Sequence, residues 1–135
     1  MPVKYNVGDS FEIKRSFSYT DVKQFSQLSG DVNPIHLDAE LAAQSIFGKP
    51  IVHGLLVSSL FSAVIANYLP GPGSIYLHQS LNFKAPVFHD TILIAKVEIL
   101  SKKLDKPIFE LKTTCTTEYG EILIEGNAVV LNKNL

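Results

Sequence analysis

The rhythm of hydrophobic and polar positions changes once along this chain, near Ser74. Before that point apolar residues recur at helical spacing; after it they alternate. "DSFEIKRSFS" reads as an opening strand. Val22, Phe25 and Leu28 then fall on one helical face, with Thr20 as the expected N-cap, Asp21 in the first turn and Gly30 just past the end. Asp38 is placed to cap a second short helix, "AELAAQSIF", which Gly48 would stop. "GLLVSSLFSAVIANYL" is apolar around most of its circumference, the pattern of a buried helix. Within it Ser58, Ser62 and Ala66 form a stripe of small side chains, which admits a close neighbour: a backbone or a ligand.

From Ser74, Ile75, Leu77, Leu81, Phe83, Ala85 and Val87 alternate with polar positions. "TILIAKVEIL", "IFELKTTCTTE" and "EILIEGNAVVL" follow as strands, separated by "LDKP" and the Tyr119-Gly120 turn. Gly126, inside the last of them, predicts a bulge or a close approach. The expected fold is α+β: a single domain over residues 1–135, with an antiparallel sheet wrapped around a long central helix at about residues 54–69. One sheet edge would stay unpaired unless a second copy covered it, so a homodimer is expected.

Composition narrows the possibilities. At 135 residues and 46% hydrophobic, the chain can bury one real core. Its net charge of −1 and the absence of basic runs argue against nucleic-acid binding. The longest apolar tract contains serines and an asparagine and is too short to span a membrane, which takes ~20 apolar residues. The first residues lack the apolar core of a secretory signal, and the one cysteine, Cys115, allows neither an internal disulfide nor a cysteine metal cluster. A cytoplasmic protein is expected, with Cys115 in the core.

The candidate chemistry sits in "SGDVNPIHLD". Asp31 and His36 are five residues apart, a spacing that a turn aligns better than a helix or strand. Asn33 and Pro34 supply that turn. A carboxylate and an imidazole sharing a water can act as acid and base near neutral pH. An Asx-type turn beside a partly exposed histidine explains the same residues, and spacing alone favours that structural explanation. Gly54 opens the buried helix, where unpaired N–H groups and the positive dipole end can hold an oxygen gaining negative charge. It could equally just start a helix packed on the sheet. Ser62 could support a catalytic group or bond back to its own helix. His53 reads best as a histidine satisfied near a helix start; with His36, Asp31 and Asp38 it could mimic a two-histidine, one-carboxylate iron site, though nothing in the spacing demands that.

Together these motifs resemble a known family. "LSGDVNPIHLD" is similar to the signature of R-specific enoyl-CoA hydratases, the MaoC-like dehydratases of hot-dog fold. "KPIVHGLLVSSLF", "LPGPGSIYLHQSLNFKAPV" and "GNAVVL" resemble the same family in the same order. The nearest likeness is to single-domain hydratases that supply polyhydroxyalkanoate monomers. The resemblance implies reversible hydration of trans-2-enoyl-CoA to (R)-3-hydroxyacyl-CoA. It makes Asp31 and His36 the catalytic unit and the Gly54 N–H the thioester-oxygen donor. Asn33, Pro34 and Ser62 become supporting residues. Ser62, Ile65 and Val130 are the expected acyl lining, against ordinary core packing. No metal or redox cofactor is implied, since CoA belongs to the substrate. The rival expectations are a thioesterase of the same fold, a non-catalytic acyl-thioester-binding domain, and a dehydratase acting on acyl carrier protein.

Overall fold

The computed structural model describes residues 5–133; the remaining ends of the expected 1–135 domain lie outside the described residues. Strand β1 (Ser10–Arg15) leads into α1 (Tyr19–Ser29), two short helical turns, α2 (Pro34–Leu37) and α3 (Ala39–Ala43), and the long α4 (Gly54–Asn67). Five strands follow: β2 (Ile75–Gln79), β3 (Asn82–Phe83), β4 (Leu93–Lys102), β5 (Ile108–Thr117) and β6 (Ile122–Leu131). They pair antiparallel in the order β1-β4-β5-β6-β2, with β3 also beside β6.

Alternation decides the inner face. Leu93, Ala95, Val97 and Ile99 of β4 and Phe109, Leu111 and Cys115 of β5 are buried, as are Ile124, Ala128 and Val130 of β6. Against them α4 sets Val57, Leu60, Phe61, Val64 and Ile65, all buried and packed on β4, β1 and β5. Each such side chain contributes about 1.5–3 kcal/mol by leaving water. A curved antiparallel sheet wrapped on one helix is the hot-dog fold. Cys115 is fully buried, and burial pushes its thiol up to about 12, so it is a core residue and no nucleophile near neutrality.

Three local expectations need correction. The N-cap of α1 is Ser18, not Thr20: Ser18 Oγ accepts from Asp21 N at 3.2 Å and Asp21 Oδ2 accepts from Ser18 N at 2.9 Å. This reciprocal capping box satisfies two donors at once, which Thr20 could not match. The buried side of α1 carries Val22 and Ser26, whereas Leu28 is 88% exposed. Nor is α4 buried all round. Leu55, Ser59, Ser62 and Ala66 are exposed on the face toward β2.

The alternating stretch after Ser74 makes two short strands rather than one, because the chain kinks at Ser80 over Gly126. Ser80 N donates to Asn127 O at 2.8 Å, and Asn127 N donates to Ser80 Oγ at 2.9 Å. A Cβ on Gly126 would lie 1.8 Å from Ser80 O, so the close approach expected there is real. β2 and β3 form an outer edge with Ile75, Tyr76, Leu77 and Phe83 exposed. The polar side chains Gln79 and Thr113 bridge that edge to the core through a 2.9 Å bond.

Candidate active site

The segment between α1 and α3 is stiffened by a relay of side-chain caps. Gly30, in the left-handed region at φ 84°, ends α1. Ser29 Oγ accepts from Asp31 N, Asp31 Oδ1 from Asn33 N, and Asn33 Oδ1 from Ile35 N, at 3.1, 3.2 and 3.2 Å. Pro34 then takes the first position of α2, where its missing N–H costs nothing. Asp38 Oδ1 caps α3 by accepting from Glu40 N and Leu41 N, as its sequence position suggested. The Asx turn at Asp31 is thus present, and it occupies only Oδ1. Asp31 is exposed, and its second carboxylate oxygen is left to meet a ligand.

His36 is buried, 8% exposed, rather than partly open. Its Nδ1–H donates to the Ile51 carbonyl at 2.8 Å, which fixes the proton on Nδ1 and leaves the lone pair on Nε2. Burial holds its pKa below the ordinary 6.5. The Ile51 carbonyl opposes that shift, repulsion from His53 adds to it, and Asp31 opposes it weakly. His36 is therefore neutral and basic at neutral pH.

α4 begins at Gly54, beside this pair. As the first helical residue, Gly54 has no carbonyl one turn back to receive its N–H. A Cβ there would fall 2.5 Å from the Phe83 ring, so glycine lets the ring pack against the helix start. Asp31, His36 and Gly54 all border one cavity of about 440 Å³. Its remaining wall is mostly apolar, including Phe47, Ile51, Leu55, Phe83, Pro86 and Ile124, with Lys84 near the rim. A largely apolar hollow with a few convergent polar groups is the usual form of a small-molecule site. The amino-acid pattern extends this likeness to known proteins: the model of the MaoC-like domain matches residues 5–119. The chain belongs to the MaoC-like family.

Within that family, the (R)-specific enoyl-CoA hydratase of Aeromonas caviae is 46% identical over 124 residues, covering 92% of either chain. The solved structure of the A. caviae (R)-hydratase involved in PHA biosynthesis superposes with a TM-score of 0.92. That superposition covers 95% of this chain and 97% of the other at 44% identity. R-hydratase PhaJ1 from Pseudomonas aeruginosa gives a TM-score of 0.89 at 39% identity, over 95% of this chain and 82% of its own. No helix among the described residues of this MaoC-like chain is long and apolar enough to cross a membrane.

The structure brings together Asp31, Asn33, Pro34, His36 and Gly54, but not the other three candidates. Ser62 is exposed on the outer face of α4 and borders a second groove with Ser58, Ser59, Tyr76 and Gln79. It borders that groove and does not line the cavity of Asp31, His36 and Gly54. Ile65 and Val130 are fully inside the core cluster.

His53 stands at the helix start and is satisfied there through Nε2, as its sequence position suggested. It is 2% exposed, its ring stacks on His36 with centroids 3.8 Å apart, and its Nε2 lies 3.1 Å from both the Asp31 carbonyl and Ser26 Oγ. The signal for this hydrogen bond was available in Ser26, a polar residue on the buried side of α1. Ligand atoms of Asp31, His36 and His53 lie within 4.8 Å of one another. Their arrangement nonetheless suits a metal poorly. Each ring already commits one nitrogen, His36 Nδ1 to the Ile51 carbonyl and His53 Nε2 to the Asp31 carbonyl and Ser26 Oγ, and the in-plane lone pairs of two stacked rings only 28° apart do not point into the space between them.

Proposed function

We propose that this MaoC-like protein hydrates trans-2-enoyl-CoA to (R)-3-hydroxyacyl-CoA, reversibly. The observation that carries the reading is the meeting of Asp31, His36 and the head of α4 on a single apolar cavity. The names of the A. caviae hydratase and PhaJ1 support the same reaction.

The chemistry makes three demands. Water must lose a proton as its oxygen bonds to C3, a proton must reach C2, and the thioester oxygen must carry enolate-like charge in between. His36 Nε2 offers a lone pair and the second oxygen of Asp31 a further acceptor, so the two hold one water and handle its proton as a unit. The proton taken from water, or its equivalent on the partner group, is returned to C2, and the pair ends as it began. The N–H of Gly54 and the dipole of α4 face the thioester oxygen; a donor of this kind is worth about 3–4 kcal/mol in the transition state. This scheme asks nothing of a metal or redox cofactor. Asn33 and Pro34 keep the loop in shape.

The same proposal takes CoA as the substrate's handle, the cytoplasm as the compartment and a homodimer as the working form. The exposed apolar residues on the β2–β3 edge support the dimer, because an open apolar strand edge is costly to leave uncovered. Light scattering on the purified protein should give twice the chain mass; a monomer at working concentration would remove that part.

The reaction is tested by following crotonyl-CoA with the wild-type protein and a thiol reagent in parallel. Loss of enoyl-thioester absorbance without free thiol is expected. Release of thiol would instead mark a thioesterase, and no change on short or medium enoyl-CoA would leave an acyl-thioester-binding domain.

A further inference from the structure

We infer that His53 is a positioning residue that holds Asp31 and His36 in register from beneath, through its Nε2–H and its stacked ring. The inference rests on the hydratase reading for its activity measurements, and on geometry for its origin.

His53 touches both halves of the pair. Its Nε2 lies 3.1 Å from the Asp31 carbonyl oxygen, which can only accept, so Nε2 carries the proton. That N–H is shared with Ser26 Oγ, also at 3.1 Å, which anchors the ring to α1. With its N–H bonded by Ser29, its Oδ1 by Asn33 N and its carbonyl by His53, Asp31 is pinned at three points. The imidazole of His53 stacks on that of His36 with centroids 3.8 Å apart, and the Phe25 ring meets it edge-on at 4.8 Å. The same residue immediately precedes Gly54 and forms the N-cap of α4, so one side chain links the acid–base pair to the helix start.

Packing alone does not explain a histidine here. Fixing the proton on Nε2 leaves Nδ1 as a bare acceptor, buried and without a partner among the described residues. A phenylalanine would fill the space without that unsatisfied atom. What phenylalanine lacks is a donor aimed at the Asp31 carbonyl. The ionisable groups facing His36 are Asp31, from the loop after α1, and His53, from the head of α4. Lys84, which also borders the cavity, pairs with Glu125 at 3.6 Å.

The test compares the wild type with His53→Phe, His53→Gln and Ser26→Ala. Turnover of crotonyl-CoA, its pH profile and the thermal melt are measured for each. The NMR titration of the His36 ring is followed as well, independently of turnover. His53→Phe keeps a stacked ring but loses the donor. We expect kcat to fall about 10- to 100-fold with KM little changed, the loss a displaced catalytic group brings. The acid limb of the profile and the His36 titration should both move to higher pH, because the repulsion that His53 exerts on a protonated His36 is gone. His53→Gln, whose amide reaches the place of Nε2, should recover part of kcat. Ser26→Ala, a small change that should leave the fold intact, should lower kcat by a smaller factor. Wild-type rates in every variant, with an unmoved His36 titration, would overturn the inference. So would losses that track only the melt while the titration stays in place; should His53→Phe not fold, Ser26→Ala with unchanged kcat and titration decides against it. A wild-type protein that does not hydrate crotonyl-CoA would instead count against the hydratase reading, leaving the His36 titration to judge His53.

Discussion

Two hollows of nearly equal size flank Leu55 at the start of α4, and they differ in almost everything else. One, of about 440 Å³, lies over the α1–α2 loop and has Asp31, His36 and Gly54 in an otherwise apolar wall. The other, of about 430 Å³, runs between the outer face of α4 and β2, floored by Ser58, Ser59, Ser62, Tyr76 and Gln79. In the second, Tyr76, though exposed on its edge, donates to Gln79 Oε1 at 2.7 Å, and partial desolvation of its hydroxyl pushes the phenol up to about 12, so it remains a neutral donor. In the first, burial and a neighbouring histidine keep His36 a free base at neutral pH. Volume does not distinguish the two. Convergence does: a base, a carboxylate and an unpaired helix N–H reach one space only in the first. The second opens on the outer edge of β2, which pairs only with β6 among the described residues.

The largest effect should come from removing the acid–base chemistry. Asp31→Asn keeps the oxygen that accepts from Asn33 N, so the loop should hold and the melt should barely move. Its kcat on crotonyl-CoA should nevertheless drop about 10²- to 10⁴-fold. If the rate survives, the two hollows are chemically equivalent. Gly54→Ala comes next. The added Cβ would meet the Phe83 ring at 2.5 Å, and because that ring is half-exposed it can swing away into the cavity mouth. The expected loss in kcat/KM is about 10- to 100-fold from a displaced thioester, read by steady-state kinetics with a melt as control.

Ile65→Ala probes the core behind α4. A fully buried isoleucine cut to alanine should cost about 2–5 kcal/mol in a denaturant melt. We propose that the space also lets a longer acyl chain enter, raising the C8 rate relative to C4. An unchanged ratio would remove Ile65, and by extension Val130, from chain-length selection. For Ser62→Ala, a change in that ratio without loss of C4 turnover would tie the second groove to the acyl chain.

The smallest effect is on pH dependence. Because the folded pKa of His36 lies below 6.5, the unfolded chain binds more protons than the folded one in the window between the two values. The stability from this residue is fully present above pH 6.5 and is lost as pH falls through the folded value. Melts on either side of pH 6.5 should show the acid-side drop, and His36→Gln should flatten it. The acid limb of kcat/KM should sit below 6.5 for the same reason.

The amino-acid pattern made one of these hollows far more legible than the other. The Asp31–Asp38 relay depends on local hydrogen bonds between residues two or three apart, and Asn33, Pro34 and Asp38 announce it. Gly54 was legible because helix starts follow from local patterning. Gly126 was too, since a glycine in a strand signals a close neighbour. What escaped depends on distant partners. The proposed role of His53 needs Ser26, 27 residues away, and the Asp31 carbonyl, 22 residues away. Ser62 shares its helix with the buried core, and only the course of β2 decides that its face stays open. The N-cap was misread because Thr20 resembles a cap by itself, whereas the pairing of Ser18 with Asp21 three residues on outweighs it.

The most direct test is the crystal structure of Asp31→Asn with crotonyl-CoA bound. The expected result is the thioester oxygen within hydrogen-bond distance of the Gly54 N–H, with C3 facing residue 31 and His36 Nε2. An acyl group lodged between Ser62 and Tyr76, with the cavity at Gly54 empty, would contradict it.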